Sequence, residues 1–210
     1  VLDGGSYNFL NNTNDPTLDP ALDNTGDHGT AVAGIVGMKA YNGVGGVGIA
    51  YDSSLVGYNY LESQSSTNFS KSFGGDATSN FADVFNGSFG SSYGDDTTYS
   101  FPSISTFRKN IYRAGVESGK VYVRSAGNDF YDNGPCGGAP DRESQILSCT
   151  GVEIDDTKNF EEVITVAALN ADGVKSSYST PGATIWLSGL VGEYGIKEDV
   201  FNSVSYIDRG

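Results

Sequence analysis

Positive charge is scarce in this sequence: 12 Lys and Arg stand against 26 Asp and Glu, for a formal net charge of −14 over 210 residues. So negative a surface repels nucleic acid and anionic membranes, and both are excluded as partners. The same acidity suits Ca2+, which takes carboxylate and carbonyl oxygens, and it suits a solvated extracellular surface equally well. Long apolar runs are missing too; none approaches the ~18 residues that a membrane helix needs. No charged leader opens the chain, which starts at Val1 and not at Met. It therefore reads as a mature product or a piece, and the missing leader says nothing about compartment. Cysteine is nearly absent. Cys136 and Cys149 flank a polar loop, where a disulfide would contribute about 3 kcal/mol by closing it; a reduced intracellular pair is the other reading. Repeats and interdomain linkers are lacking, so a single domain over 1–210 is expected, long enough for a real core.

What is present is ordinary globular composition, with 38% hydrophobic and 18% charged residues, which excludes disorder. The wealth of Gly, Ser, Asn, Asp and Tyr suits a loop-rich, exported protein. Residues 1–27 are polar and rich in turn signals, with one short strand around Tyr7–Phe9. From His28 to Lys39 small and apolar residues take over, as on a helix buried against a sheet, with Gly29, Gly34 and Gly37 allowing close packing. A glycine-rich stretch, Asn42 to Gly48, leads to a strand-like Ser54–Tyr58. A loop and a modest helix fill 61–80. Val84–Phe89 and Val121–Ser125 read as buried strands, with a helix between them over Ile104–Glu117 that ends near Gly119. A long polar insertion covers 129–160. Val163–Ala168 is a further strand, and Tyr178–Leu187 predicts one or two more around the Thr180-Pro181-Gly182 turn. Strands alternating with helices predict an α/β fold with a mainly parallel sheet, whose functional residues collect at the carboxyl ends of strands.

The single histidine stands where a turn-forming segment runs into the small-residue helix. That position presents an imidazole to a cleft on a rigid base, as a general base requires. Asp27-His28-Gly29-Thr30-Ala31-Val32-Ala33-Gly34 resembles the catalytic-histidine motif of the subtilisin superfamily. Four further segments resemble that family in the same order. They are the glycine-rich loop from Asn42 onward, Asn86 to Gly90, Val121 to Asn128, and Val163 to Gly173 with Ser177 to Gly182. Together they span residues 1 to about 190, and within the superfamily they look nearest to kexin-like and related bacterial enzymes.

The resemblance implies a subtilisin-like three-layer fold and a secreted or extracytoplasmic serine endopeptidase acting on polypeptides. His28 is then the base, and Asn128 donates its side-chain amide to the oxyanion. Ser88, Phe89 and Gly90, with Ser125, Ala126 and Gly127, should pair with an extended substrate and flank its first pocket. Asp95 and Asp96 fall near the place where kexin-like enzymes select basic residues, or belong to a solvated acidic loop. Calcium is the cofactor implied, held by the Asn42 side chain and the carbonyls of Lys39, Val44 and Gly46, with an acidic ligand from an upstream segment; a plain glycine turn is the alternative. A phosphate loop is excluded there, since no Lys-Ser/Thr follows. Thr180 stands where an acidic ligand of a second calcium site is expected, which weakens the case for that site.

The family's serine follows Gly-Thr, and no Gly-Thr-Ser occurs in the chain. The nucleophile is expected beyond Gly210. Asp3, in Val1-Leu2-Asp3-Gly4-Gly5, imitates the family's aspartate motif with only two residues of strand before it, so the true aspartate is expected upstream. Asp27 cannot turn back on its neighbour's ring and reads as helix-start chemistry. The chain by itself is accordingly expected to be inactive. A pro-segment and a C-terminal accessory domain are the further partners expected of the full-length protein. The alternative is a pseudoprotease or extracellular binding module that keeps the fold without the triad. A β-rich lectin or adhesin fits the composition but not the small-residue segment after His28.

Overall fold

The computed structural model of the chain describes residues 2, 4–17, 28–90, 103–129 and 151–191. Asp3, Asp27, Asp95, Asp96, Cys136 and Cys149 lie outside them. The chain divides into two compact units, Val1–Asp83 and Val84–Gly210.

In the first unit the opening segment runs beside residues 55–59. Leu2 N–H donates to the Leu55 carbonyl at 2.8 Å and Tyr7 N–H to that of Gly57 at 3.0 Å. Tyr7 and Tyr58 form an isolated parallel bridge. The two strands expected here shrink to that bridge because buried amides take over the ladder. Asn59 Nδ2 donates to Asn8 Oδ1 at 2.9 Å, and Phe9 N–H donates to Asn59 Oδ1 at 2.7 Å. Helix α1, His28–Gly37, follows. A 3-10 turn at Tyr60–Glu62 leads into α2, Ser66–Ser72. Ser65 caps α2, its side chain accepting from Asn68 N–H at 3.0 Å. Buried Phe69 and Phe73 stack at 4.6 Å, and Tyr60 meets both edge-on.

Helix α1 departs from the sequence reading: it holds no buried residue, and Ile35 is 67% exposed. Close packing is confined to its carboxyl end. There Ile49 N–H and Ala50 N–H reach the carbonyls of Ile35 and Val36, and Gly48 N–H that of Met38. A Cβ on Gly48 would lie 2.3 Å from Met38 N, so only glycine admits that approach. The small residues thus serve a returning loop, while the unit's aromatic core forms around α2.

Among the described residues the second unit is built on a four-stranded sheet in the order β1-β2-β3-β4, parallel throughout, as the α/β reading predicted. The strands are β1 Val84–Gly87, β2 Val121–Ser125, β3 Val163–Leu169 and β4 Ile185–Leu190. Helix α3, Thr106–Glu117, joins β1 to β2. Ser105 starts it as N-cap, and Gly119 lies past its end at φ +91, the left-handed conformation that closes helices. The core stacks Phe85 on Tyr122 at 5.0 Å, with Tyr112 edge-on to Tyr122 at 4.6 Å. Between β3 and β4 the register slips, Thr165 facing Ile185 and Val166 facing Leu187. Residues 178–184 are not strand. Their hydroxyls and amides are drawn into turn contacts: Ser179 Oγ accepts from Ala168 N–H, and Thr180 N–H donates to the Gly127 carbonyl. Of the one or two strands expected around the Thr180-Pro181-Gly182 turn, the one after it forms, beginning at Ile185, and the one before it does not. On β4, Trp186 is 62% exposed.

Candidate functional site

The parallel pairing of β1 and β2 decides where the site residues fall. Gly87 faces Arg124 in register, so the segments leaving the two strands, Ser88–Gly90 and Ser125–Asn128, emerge at the same end of the sheet. One buried ammonium, that of Lys158, lies close to both. A Cβ placed on Gly90 would lie 3.3 Å from Lys158 Nζ, and one on Gly127 would lie 3.5 Å from it.

Asn128 follows Gly127, whose φ of +111 turns the chain out of β2. Asn128 is exposed, and its side chain makes none of the hydrogen bonds found among the described residues. Thr180, 1% exposed, braces this turn on both sides. Its N–H donates to the Gly127 carbonyl at 3.0 Å and its Oγ1 accepts from Asp129 N–H at 2.9 Å. The backbone that carries Asn128 is thereby fixed, and among the described residues its side-chain amide makes no hydrogen bond.

His28 and the Asn42 loop belong to the first unit, and the strand-end residues with Asn128 to the second. His28 is the first residue of α1 and is half-buried. Lys39, Asn42, Val44 and Gly46 lie on an exposed loop after α1. Gly43 and Gly45 hold it tight at φ +73 and +65, as does Tyr41 at +60. Asn42 Oδ1 accepts from Val44 N–H at 3.0 Å. The carbonyls of Lys39, Val44 and Gly46 accept none of the backbone hydrogen bonds among the described residues. An all-oxygen donor set of this kind fits a hard cation such as calcium. No group of three His, Cys, Asp or Glu poised for a metal occurs among the described residues.

Behind the strand ends lies a charged cluster that the sequence reading did not single out. Arg124, Asp155 and Lys158 are each under 5% exposed. Arg124 Nη2 donates to the Phe89 carbonyl at 2.8 Å and approaches Asp155 Oδ2 at 3.4 Å. Its guanidinium lies over the Phe89 ring, 4.1 Å from the centroid. Lys158 Nζ donates to the Ala126 carbonyl at 3.0 Å and sits 3.7 Å from Asp155 Oδ2. The other carboxylate oxygen, Asp155 Oδ1, accepts from Thr157 N–H at 3.0 Å and Thr157 Oγ1 at 2.6 Å. Burial pushes the Asp155 pKa up, but the two cations and the Thr157 bonds outweigh it and hold the carboxyl below its ordinary range. Burial draws the Lys158 pKa down, with Asp155 and Asp129 opposing and Arg124 assisting. The signal in the sequence was an arginine inside an otherwise apolar strand, Val121-Tyr122-Val123-Arg124; a charge there must be paired within the core.

Comparison with known proteins places this geometry in a family. The subtilase family model matches residues 2–195. An extracellular serine protease of Aeromonas sobria is 32% identical over 197 residues, covering 91% of this chain and 31% of its own length. The crystal structure of the serine protease of Aeromonas sobria superposes with a TM-score of 0.73 at 30% identity, over 91% of this chain and 32% of that one. The same enzyme in complex with its chaperone gives 0.72 at 31% identity, over 91% and 32%. A protease of Pseudoalteromonas arctica gives 0.57 at 26% identity, over 79% and 44%. The chain thus spans about a third of the length of the Aeromonas sobria relative. With the family model covering nearly the whole chain and a parallel sheet delivering Asn128 at its carboxyl edge, this chain belongs to the subtilase family.

Proposed function

We propose that the full-length protein is a secreted serine endopeptidase, in which this chain supplies the general base His28 and the oxyanion donor Asn128. The nucleophilic serine is then carried by another segment, since the chain contains no Gly-Thr-Ser, and the supporting aspartate is taken to lie on another segment as well. The observation that carries the reading is the pairing of β1 with β2, which sets Ser88–Gly90 beside Ser125–Gly127 and leaves Asn128 exposed at the strand end. An extended peptide lies between those segments. As the serine oxygen bonds to the scissile carbonyl carbon, His28 takes its proton and later returns it to the leaving amine. The negative charge passes to the carbonyl oxygen, where the Asn128 amide donates. That contact is worth about 3–4 kcal/mol in the transition state, a figure measured in a protease of this family.

Calcium at the Asn42 loop fits the same reading. The Asn42 side chain and the carbonyls of Lys39, Val44 and Gly46 would hold it, and it would supply charge that fixes the loop below α1. A chaperone accompanies the Aeromonas sobria enzyme in its crystal structure, and an accessory partner of that kind, a pro-segment or a further domain is proposed here. Secretion is proposed from the relative's description as extracellular; no described helix is long and apolar enough to cross a membrane.

The test is to express the gene through both ends of this segment and assay peptides with basic and with apolar residues before the scissile bond. Hydrolysis that is lost in His28→Ala is expected. In Asn128→Ala kcat should fall by about 10²–10³ with KM little changed. A protein that cleaves nothing, and whose gene encodes no Gly-Thr-Ser, would instead be a binding module of the same fold. A preference for basic residues would assign Asp95 and Asp96 to the pocket, and an apolar preference would leave them a solvated loop.

A further inference from the structure

We infer that Arg124, Asp155 and Lys158 form a buried ionic clamp that sets the spacing of the two substrate-flanking segments, making Arg124 and Lys158 positioning residues for extended peptides. The inference rests on the endopeptidase reading above and extends it to residues with no part in the triad.

The geometry is that of a tie between two walls. Arg124 holds the Phe89 carbonyl at 2.8 Å and covers the Phe89 ring; Lys158 holds the Ala126 carbonyl at 3.0 Å. Asp155 Oδ2 lies between the two cations, 3.4 Å from Arg124 and 3.7 Å from Lys158. Each cation therefore reaches one wall, and one carboxylate couples them. The carboxylate is itself fixed by both Thr157 donors on its other oxygen. Asp129 faces Lys158 from the turn after Asn128 and adds a second negative charge beside it. The Lys158 ammonium lies 3.3 Å from where a side chain at Gly90 would begin and 3.5 Å from where one at Gly127 would begin, so a side chain added at Gly90 would press on it and one at Gly127 would touch it.

Burying three ionised groups is costly, and a plain core would fill the space as well or better. What the ions do that aliphatic side chains cannot is bond backbone carbonyls on both segments. Ala126 N–H already donates to the Val166 carbonyl at 2.8 Å, so Lys158 completes the fixing of that residue. In an extended run, successive carbonyls alternate in direction. Drawing Phe89 and Ala126 inward leaves the backbone groups of their neighbours, Ser88, Gly90, Ser125 and Gly127, to face a substrate strand or to brace the turn. The clamp acts on the width of the slot that an extended peptide enters, and its value grows with the number of substrate residues lying in that slot.

The experiment compares two substrates on the full-length enzyme: an extended peptide amide occupying at least four positions before the scissile bond, and a small single-residue ester. The variants are Lys158→Met and Arg124→Met. Each leaves one cation opposite Asp155, and if one fails to fold the other carries the test. Losing a charge-assisted hydrogen bond to a wall should lower kcat/KM for the peptide by about 10–100-fold. The loss on the ester should be several-fold smaller, and the peptide's loss should fall mainly in KM. Lys158→Gln, which restores an uncharged N–H donor, should recover most of the peptide rate. Equal losses on both substrates, or none on either, overturn the clamp while leaving the endopeptidase reading intact. A wild-type protein that hydrolyses neither substrate overturns both.

Discussion

Gly115 offers the sharpest test of how α3 meets the sheet. A Cβ on Gly115 would lie 1.9 Å from Tyr122 Oη, 2.6 Å from Cζ and 2.7 Å from Cε2. Unstrained carbon contacts need about 3.5 Å or more, so the ring would have to retreat by more than about 1 Å. It has nowhere to go. Tyr122 is 1% exposed, stacked on Phe85 at 5.0 Å and met edge-on by Tyr112 at 4.6 Å. Gly115→Ala gains about 1 kcal/mol in helix propensity. Overpacking costs roughly 1–3 kcal/mol, and a trapped ring belongs at the upper end. The expected net is about 2 kcal/mol of destabilisation, which at a slope of about 4 kcal/mol/M lowers the guanidinium midpoint by roughly 0.5 M. The assay is near-ultraviolet circular dichroism of the tyrosine cluster across a guanidinium titration of the full-length protein. Tyr122→Leu combined with Gly115→Ala should show favourable coupling, because the smaller side chain vacates the position. A midpoint that rises by the propensity term alone would refute the close approach of α3 to β2.

Further outcomes follow from the buried ions and the loops. Asp155→Asn strands two buried cations and should cost about 3–5 kcal/mol, read as the same guanidinium midpoint. The folded-state pKa of Asp155 lies below its unfolded value, so the carboxylate contributes stability that is complete above about pH 4 and lost as pH falls through the lowered value. Acid titration of Asp155→Asn should therefore lack that part of the wild-type loss. Thr180→Val removes the acceptor for Asp129 N–H and should lower kcat through Asn128 more than it raises KM, by about tenfold for one lost hydrogen bond. A chelator should lower the thermal midpoint of the wild-type protein and leave that of Asn42→Ala unmoved; equal shifts in both would place calcium elsewhere.

Much of the second unit was legible because its signals are local. Val121–Ser125 is the strand that its apolar run announced, and α3 stops where Gly119 said it should. The segments Ser88–Gly90 and Ser125–Asn128 lie at the strand ends of a parallel sheet, where such a sheet was expected to collect them, and the motif order supplied the family. What stayed hidden is non-local. Arg124 and Asp155 are 31 residues apart in sequence, and no periodicity couples them. Thr180 read as a missing ligand, whereas it braces the turn that carries Asn128. The turn at Thr180–Gly182 was legible, but the strand expected before it is not there, because the hydroxyls and amides of that stretch are claimed by turn contacts before any ladder forms. The small residues of α1 promised a buried helix. They serve instead the close return of Gly48 over Met38, a backbone contact that side-chain patterning does not encode.

The sequence contains one tryptophan, and Trp186 sits largely exposed on β4. Its indole emission in the folded protein will already resemble that of a water-exposed fluorophore, so unfolding will change the colour of that emission little. The converse is useful. A shift to shorter wavelength when this chain meets a tryptophan-free partner, pro-segment or ligand is the expected signature of cover over β4, which makes Trp186 a native optical probe of what comes to lie against that strand.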